Sequence, residues 1–233
     1  SQPVLFANVK RDGPWPQMIA DPAQVTLSQE EENFLAWLNS GNFSFRMYNN
    51  SVKKITIPKE AYIAAKSAEV SIGKSRFDVL GIIPGESGGN ANARSSVGAL
   101  GVCQLMPGNF DRFKTKTSAQ WNNVWDNVLA AINFSSYIGL TAEVGREEYI
   151  LRFATVHGLP WLPGQKRGVW NAHRLQAENT WDLTQALKAK AAEFGIGAPT
   201  PIPTSPPASV PTPLPNTQLF TKGRTDQNAV AMT

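Results

Sequence analysis

Cysteine is almost absent: Cys103 stands alone in 233 residues. That excludes an intrachain disulfide and any cysteine-rich zinc site. Its neighbours Val102 and Leu105 suggest a small buried hydrophobe rather than a nucleophile. Histidine is nearly as scarce, and His157 and His173 lie sixteen residues apart without a cysteine beside them, so neither a metal nor a cofactor is expected. Charged residues make up only 17%, and 22 basic against 18 acidic side chains leave a formal charge of +4. The basic pairs Lys53-Lys54 and Lys166-Arg167 are scattered rather than gathered into a stripe, which argues against a nucleic-acid partner. There is no long apolar run. The stretch around Val79 to Gly85 is far too short for a bilayer, so no membrane span is expected. The phosphate-loop pattern is missing too, since Lys74-Ser75 follows Gly73 but Ala68 stands where the first glycine belongs. Ser1-Gln2-Pro3 has neither the basic start nor the apolar centre of a secretory leader. Ser1 in place of an initiator Met suggests that something ahead of it was removed.

What is present is a normal apolar share of 42%, enough for a core, arranged mostly at helical spacing. Ser28 followed by Glu31 reads as a capping box, opening a helix with Phe34, Leu35 and Leu38 that Gly41 stops. Residues 42–57 alternate aromatic and β-branched residues around Asn49-Asn50, as a short hairpin would. Pro58 suits the first position of a helix running to about Gly73. A further helix from Ser75 should carry Phe77, Val79, Leu80, Ile82 and Ile83 towards Glu86, with Pro84 distorting its last turn and Asp78 facing solvent. Helices are also predicted over residues 124–142 and 147–156. A last one, capped by Asn179 or Thr180, should run to Gly195. The fold class is mainly α.

Prolines cluster at the ends. Residues 1–25 carry four, and eight of the 17 fall between Pro199 and Pro215, the composition of an extended polyproline-type arm. We therefore divide the chain into an irregular N-terminal extension at 1–57, a helical domain at 58–197 and a Pro-rich arm at 198–233. The arms cannot build cores of their own and are expected to dock on neighbouring proteins.

One stretch carries chemistry: Glu86-Ser87-Gly88-Gly89-Asn90-Ala91-Asn92-Ala93-Arg94-Ser95-Ser96-Val97-Gly98-Ala99-Leu100-Gly101-Val102-Cys103-Gln104-Leu105-Met106-Pro107. An acid ends an apolar helix and a loop of small residues follows. Apolar walls beside a carboxyl favour its protonated form, which suits general-acid attack on a glycosidic oxygen. The spacing alone is equally that of a surface acid before an ordinary loop. The stretch, however, resembles the signature of the soluble lytic transglycosylases, a lysozyme-like family that includes goose-type lysozymes. That signature reads Glu-Ser, Asn-Pro-x-Ala-x-Ser, Gly-Ala-x-Gly, a hydrophobic pair, Gln, then a hydrophobic residue before Met-Pro. Glu86-Ser87, Asn90, Ala93, Ser95, Gly98-Ala99, Gly101, Gln104 and Met106-Pro107 match it without a gap, while Ala91 replaces the usual Pro and Cys103 the usual Met. Farther on, Asn127-Val128 leads to Phe134 and Tyr137-Ile138, the counterpart of a family helix. The family's Ala-Tyr-Asn-Ala-Gly loop survives only as Ala154-Thr155-Val156-His157-Gly158. The similarity spans roughly Lys59 to Phe194.

The resemblance implies cleavage of the β-1,4 bond between N-acetylmuramic acid and N-acetylglucosamine in peptidoglycan. Glu86 would act as acid and then base, with Ser95 and Gln104 hydrogen-bonding an N-acetylated sugar and Met106 lining its subsite. Either Phe134 or Tyr137 could face the sugar, with Phe134 expected in the core and Tyr137 on the substrate, and His157 could take a polar substrate contact or cap its helix. Of Trp161, Trp170 and Trp181, which could stack on sugar rings, two are expected inside. Asp111 and Asp126 are the acids that folding could bring to Glu86 as a second carboxylate. The arms, in turn, suggest a virion protein, in the tail or inside the particle, that opens the wall in the bacterial periplasm as a phage enters. Its partners would be glycan strands and, through both arms, virion or envelope-complex proteins. A secreted or periplasmic bacterial enzyme is the other setting, and a structural component that keeps the fold but cleaves little is the rival function.

Overall fold

The computed structural model describes residues 25–156 and 170–197; His157, Trp161 and both Pro-rich arms lie outside them. The chain is mainly helical, as its composition predicts. It runs α1 (Gln29–Trp37), a π-turn (Leu38–Asn42), the antiparallel hairpin β1 (Ser44–Arg46) and β2 (Val52–Lys54), α2 (Lys59–Ile72), α3 (Arg76–Leu80) and α4 (Ile83–Glu86). Then follow α5 (Pro107–Phe113), α6 (Val124–Tyr137), a 3-10 turn (Ala142–Val144), α7 (Arg146–Val156) and α8 (Trp170–Glu193). Among the described residues no helix is long and apolar enough to cross a membrane.

Local chemistry accounts for most of these boundaries. The capping box at α1 is complete: Ser28 Oγ accepts from Glu31 N and Glu31 Oε2 accepts from Ser28 N at 2.7 Å. Pro58 sits one position earlier than expected, as the N-cap of α2. The helix expected from Ser75 to Glu86 is instead two, α3 and α4, separated by a turn at Gly81 and Ile82. Pro84 has no N–H to continue a ladder and can stand only in the first turn of a new helix. The break overturns the solvent-facing reading of Asp78. That residue is 2% exposed, and its carboxylate accepts from Thr141 Oγ1 at 2.8 Å and from Ala142 N at 3.3 Å.

Two further corrections concern helix ends. α6 stops at Tyr137 rather than near Ala142, because Leu140 N turns back to Ser135 O at 2.7 Å. α8 runs unbroken through Asn179 and Thr180, which were expected to cap it. Both side chains are otherwise engaged: Asn179 Nδ2 donates to Arg46 O, and Thr180 Oγ1 donates back to Gln176 O.

The main core is shared by α1, the hairpin, α2, α3, α4, α6 and α8, with Phe34, Leu38, Ile57, Tyr62, Leu80, Ile83 and Leu187 all inaccessible. It therefore crosses the 57/58 boundary drawn from sequence. A smaller cluster of Leu140, Tyr149, Ile150, Phe153 and Ala177 joins α7 to α8. Beside the main core lies a buried ionic network. The Arg76 guanidinium meets Glu69 through Nη2 at 2.6 Å, and its Nη1 meets Tyr62 Oη at 3.0 Å as well as the Glu31 carboxylate. Lys66 Nζ closes the balance on Glu31 at 2.6 Å. Two cations on two carboxylates leave no net buried charge, the condition under which such a cluster is tolerated.

Candidate active site

Glu86 is the last residue of α4, half-buried, with its backbone N–H on Ile82 O at 3.2 Å. Its Oε1 accepts from Gln176 Nε2 of α8 at 3.1 Å. The next residue folds the following loop back onto it. Ser87 Oγ donates to Val102 O at 2.7 Å and accepts from Gly89 N at 3.1 Å. A loop of fifteen positions is thereby closed at its neck, and Cys103 is brought beside the acid. Burial first, and then the charge on Glu86, pushes the Cys103 thiol far above its ordinary range. Cys103 is buried and not a nucleophile.

The interior of the loop is held by its own polar side chains. Ser95 Oγ accepts from Ala99 N at 2.9 Å while Ser95 N donates to Ala99 O at 3.0 Å, so this serine ties a turn. Its own O–H remains a donor. Gln104 has a left-handed backbone (φ 51°), and its Nε2 donates to Gly101 O at 2.8 Å and Ala93 O at 3.2 Å. That leaves its side-chain oxygen as the group able to receive a ligand donor. Asn127 at the start of α6 secures the neck from below. Its Oδ1 accepts from Cys103 N at 2.9 Å and its Nδ2 donates to Leu100 O at 3.2 Å, with no exposed surface at all. Gly101 makes room for that amide: a Cβ there would stand 2.4 Å from Asn127 Nδ2 and 2.5 Å from Trp121 O, at a φ of +78°.

The remaining predicted residues divide. Met106 caps α5 and is 36% exposed, as a subsite-lining side chain needs to be. Phe134 is buried against Phe113 (centroids 5.2 Å). Tyr137, half-buried one turn on, packs on the same Phe113 at 5.3 Å and lies under the Arg112 guanidinium at 4.7 Å. Trp181 is half-buried, edge-on to Tyr149 at 5.3 Å in the second core; the Trp170 side chain is not among the described groups. The two acids considered as partners for Glu86 have other attachments. Asp111 is exposed and paired with Lys114 at 3.0 Å. Asp126 is buried, accepts from Gln120 N at 2.9 Å and pairs with Lys116 at 3.6 Å.

Sequence reasoning missed two residues here. Asn127 was legible as a polar side chain in the first turn of an apolar helix, which must find a partner if buried. Gln176 carried no local signal, because its contact is ninety residues away in sequence.

Comparison with known proteins agrees with this geometry. Residues 62–138 match the family model described as the transglycosylase SLT domain, a stretch from α2 to the end of α6 that holds Glu86, the loop, Asn127 and Tyr137. No curated protein matches the chain, and no solved structure does. The domain supports lytic transglycosylase activity in general and implies peptidoglycan as the substrate. Over residues 62–138 the chain is thus similar to the transglycosylase SLT domain, which supports a lysozyme-like lytic transglycosylase fold for that stretch.

Proposed function

We propose that Glu86 is the acid and base of a peptidoglycan lytic transglycosylase that cleaves the N-acetylmuramic acid to N-acetylglucosamine β-1,4 bond. The observation that carries the reading is the Ser87–Val102 closure, which sets Glu86 at the neck of the signature loop. Protonated Glu86 gives its proton to the glycosidic oxygen as the C1–O bond breaks. The sugar's own N-acetyl carbonyl supports the positive centre at C1. The Glu86 carboxylate then takes the proton from the C6 hydroxyl as that oxygen attacks C1, closing a 1,6-anhydro ring without water. The engagement of Asp78, Asp111 and Asp126 elsewhere favours this one-carboxylate route over hydrolysis. In this scheme the Ser95 hydroxyl and the Gln104 oxygen bind the N-acetylated sugar, Met106 lines its subsite, and Tyr137 and His157 complete the contacts.

The biological setting is part of the proposal and rests on composition: two Pro-rich arms suit docking on virion or envelope-complex proteins, with the wall opened as a phage enters. A structural component with little activity is the second reading, favoured by Thr155-Val156-His157 where the family carries Tyr-Asn-Ala. One experiment separates the two. Wild type should digest purified peptidoglycan, and Glu86→Gln should lose about 10²–10⁴-fold in rate, the usual cost of a lost general acid. By mass spectrometry the products should be about one water (~18 Da) lighter than hydrolysis products, since ring closure replaces the attacking water. An inert wild type would favour the structural reading, and hydrated reducing ends would reject the transglycosylase step.

A further inference from the structure

The amide that meets Glu86 comes from α8, outside the family match. Gln176, Thr180 and Thr184 recur every fourth residue and so share one face of that helix. Thr180 Oγ1 donates to Gln176 O at 2.9 Å and Thr184 Oγ1 to Thr180 O at 2.8 Å, leaving this face without a loose hydroxyl donor. The face lies on the turn that launches α4. A Cβ at Gly81 would stand 1.9 Å from Thr184 Oγ1 and 2.9 Å from Thr184 Cβ, so glycine is what lets the helix approach. On the hairpin side, Asn179 Nδ2 donates to Arg46 O at 2.8 Å. These two contacts set the height and rotation of α8 against α4, and they deliver Gln176 Nε2 to Glu86 Oε1 at 3.1 Å.

We propose that Gln176 is a positioning residue for the Glu86 acid, an inference that rests on the function proposed above. A side-chain NH₂ is a donor only. Bonded to it, Oε1 stays an acceptor, and the proton of the acid form is carried by Oε2. Which oxygen faces the glycosidic bond is therefore decided before substrate arrives. As Glu86 releases its proton, charge grows on the carboxyl and the Gln176 bond strengthens, since bonds to ionised acceptors are roughly twice as strong as neutral ones. Stabilisation that grows towards the transition state raises kcat and leaves KM alone. In the second half of the reaction the same bond steadies the carboxylate that accepts the C6 hydroxyl proton.

The test compares wild type with Q176M, which keeps the reach of the side chain without a donor, and Q176E, which replaces the donor by a second carboxylate. Rates on soluble peptidoglycan are measured at each protein's own pH of maximal rate. In Q176M kcat should fall about tenfold, the scale of a lost hydrogen bond to an ionised group, with KM and Tm unchanged. Q176E should fall further, and either variant carries the comparison should the other not fold. A merely structural glutamine would lower Tm and leave the kcat of the folded fraction alone, which overturns the proposal, as does an equal kcat in all three proteins. The contact has a separate readout in the side-chain amide resonances of Gln176, which should shift in Glu86→Ala. An active wild type whose Gln176 resonances ignore that change defeats this inference alone. An inert wild type whose resonances do respond defeats the proposed function, and the catalytic purpose of Gln176 with it.

Discussion

Asn127 bears on the site without touching substrate in any step proposed here. Both ends of its amide are spent on the loop neck, at Cys103 N and Leu100 O. Replacing it by Leu strands the buried Cys103 N–H, while Leu100 O keeps its bond from Leu105 N at 3.0 Å. Asn127→Leu should therefore lower unfolding free energy by about 1–3 kcal/mol, the cost of one unsatisfied buried group, read from the urea midpoint at unchanged slope. Lytic rate should fall as well, since Glu86 and the loop are joined through the same neck. At this scale the sequence was most informative where a side chain acts on near neighbours. Glu86, Ser95 and Gln104 are proposed as site residues from one ungapped motif. Gln176 was not legible in this way, because no nearby residue betrays a contact between α4 and α8.

Elements were legible in proportion to how local their signals are. The Ser28 box and the 44–54 hairpin are decided by residues within a few positions of one another. The Gly81 break was not, since periodicity continues across it while Thr184 presses on the turn. Next to α3, Lys74 links elements in a way that pH should reveal. Its Nζ donates to Leu140 O at 2.5 Å. Burial of the ammonium lowers its pKa from 10.5 to about 8, against the opposing pull of Asp78 and Glu143. Below about 8 the lysine is charged in both folded and unfolded chains, and the burial penalty is paid in full. Between about 8 and 10.5 the unfolded chain binds the extra proton, so stability must rise with pH. Thermal melts should show Tm climbing from pH 8 towards pH 9.5, before exposed tyrosines ionise near 10. Lys74→Met should flatten that climb.

For the whole molecule, the decisive feature is that the core and the ionic network both reach back before residue 58. Glu31 on α1 holds Arg76 on α3 and Lys66 on α2. Phe34, Leu38, Ile55 and Ile57 are inaccessible in the shared core. A chain begun at residue 58 would leave Arg76 short of one of its two carboxylates, and breaking a buried pair costs about 3–5 kcal/mol. It would also lose those four apolar side chains, each worth about 1.5–3 kcal/mol when fully buried. That total exceeds the stability of many domains. The truncated chain should show no cooperative melt by circular dichroism, whereas a chain begun at residue 25 should melt as one unit.

By itself, the sequence determined the helical class and pointed to Glu86 and the loop after it as the proposed site, because these depend on periodicity and on residues within about twenty positions of one another. The tertiary structure decided the rest. It buried Asp78 and carried α8 past Asn179 and Thr180. It also placed Arg76 between two carboxylates and brought Gln176 to Glu86. Each of these outcomes turns on which helix faces which at a distance of many residues, where steric fit and hydrogen-bond satisfaction override local propensity.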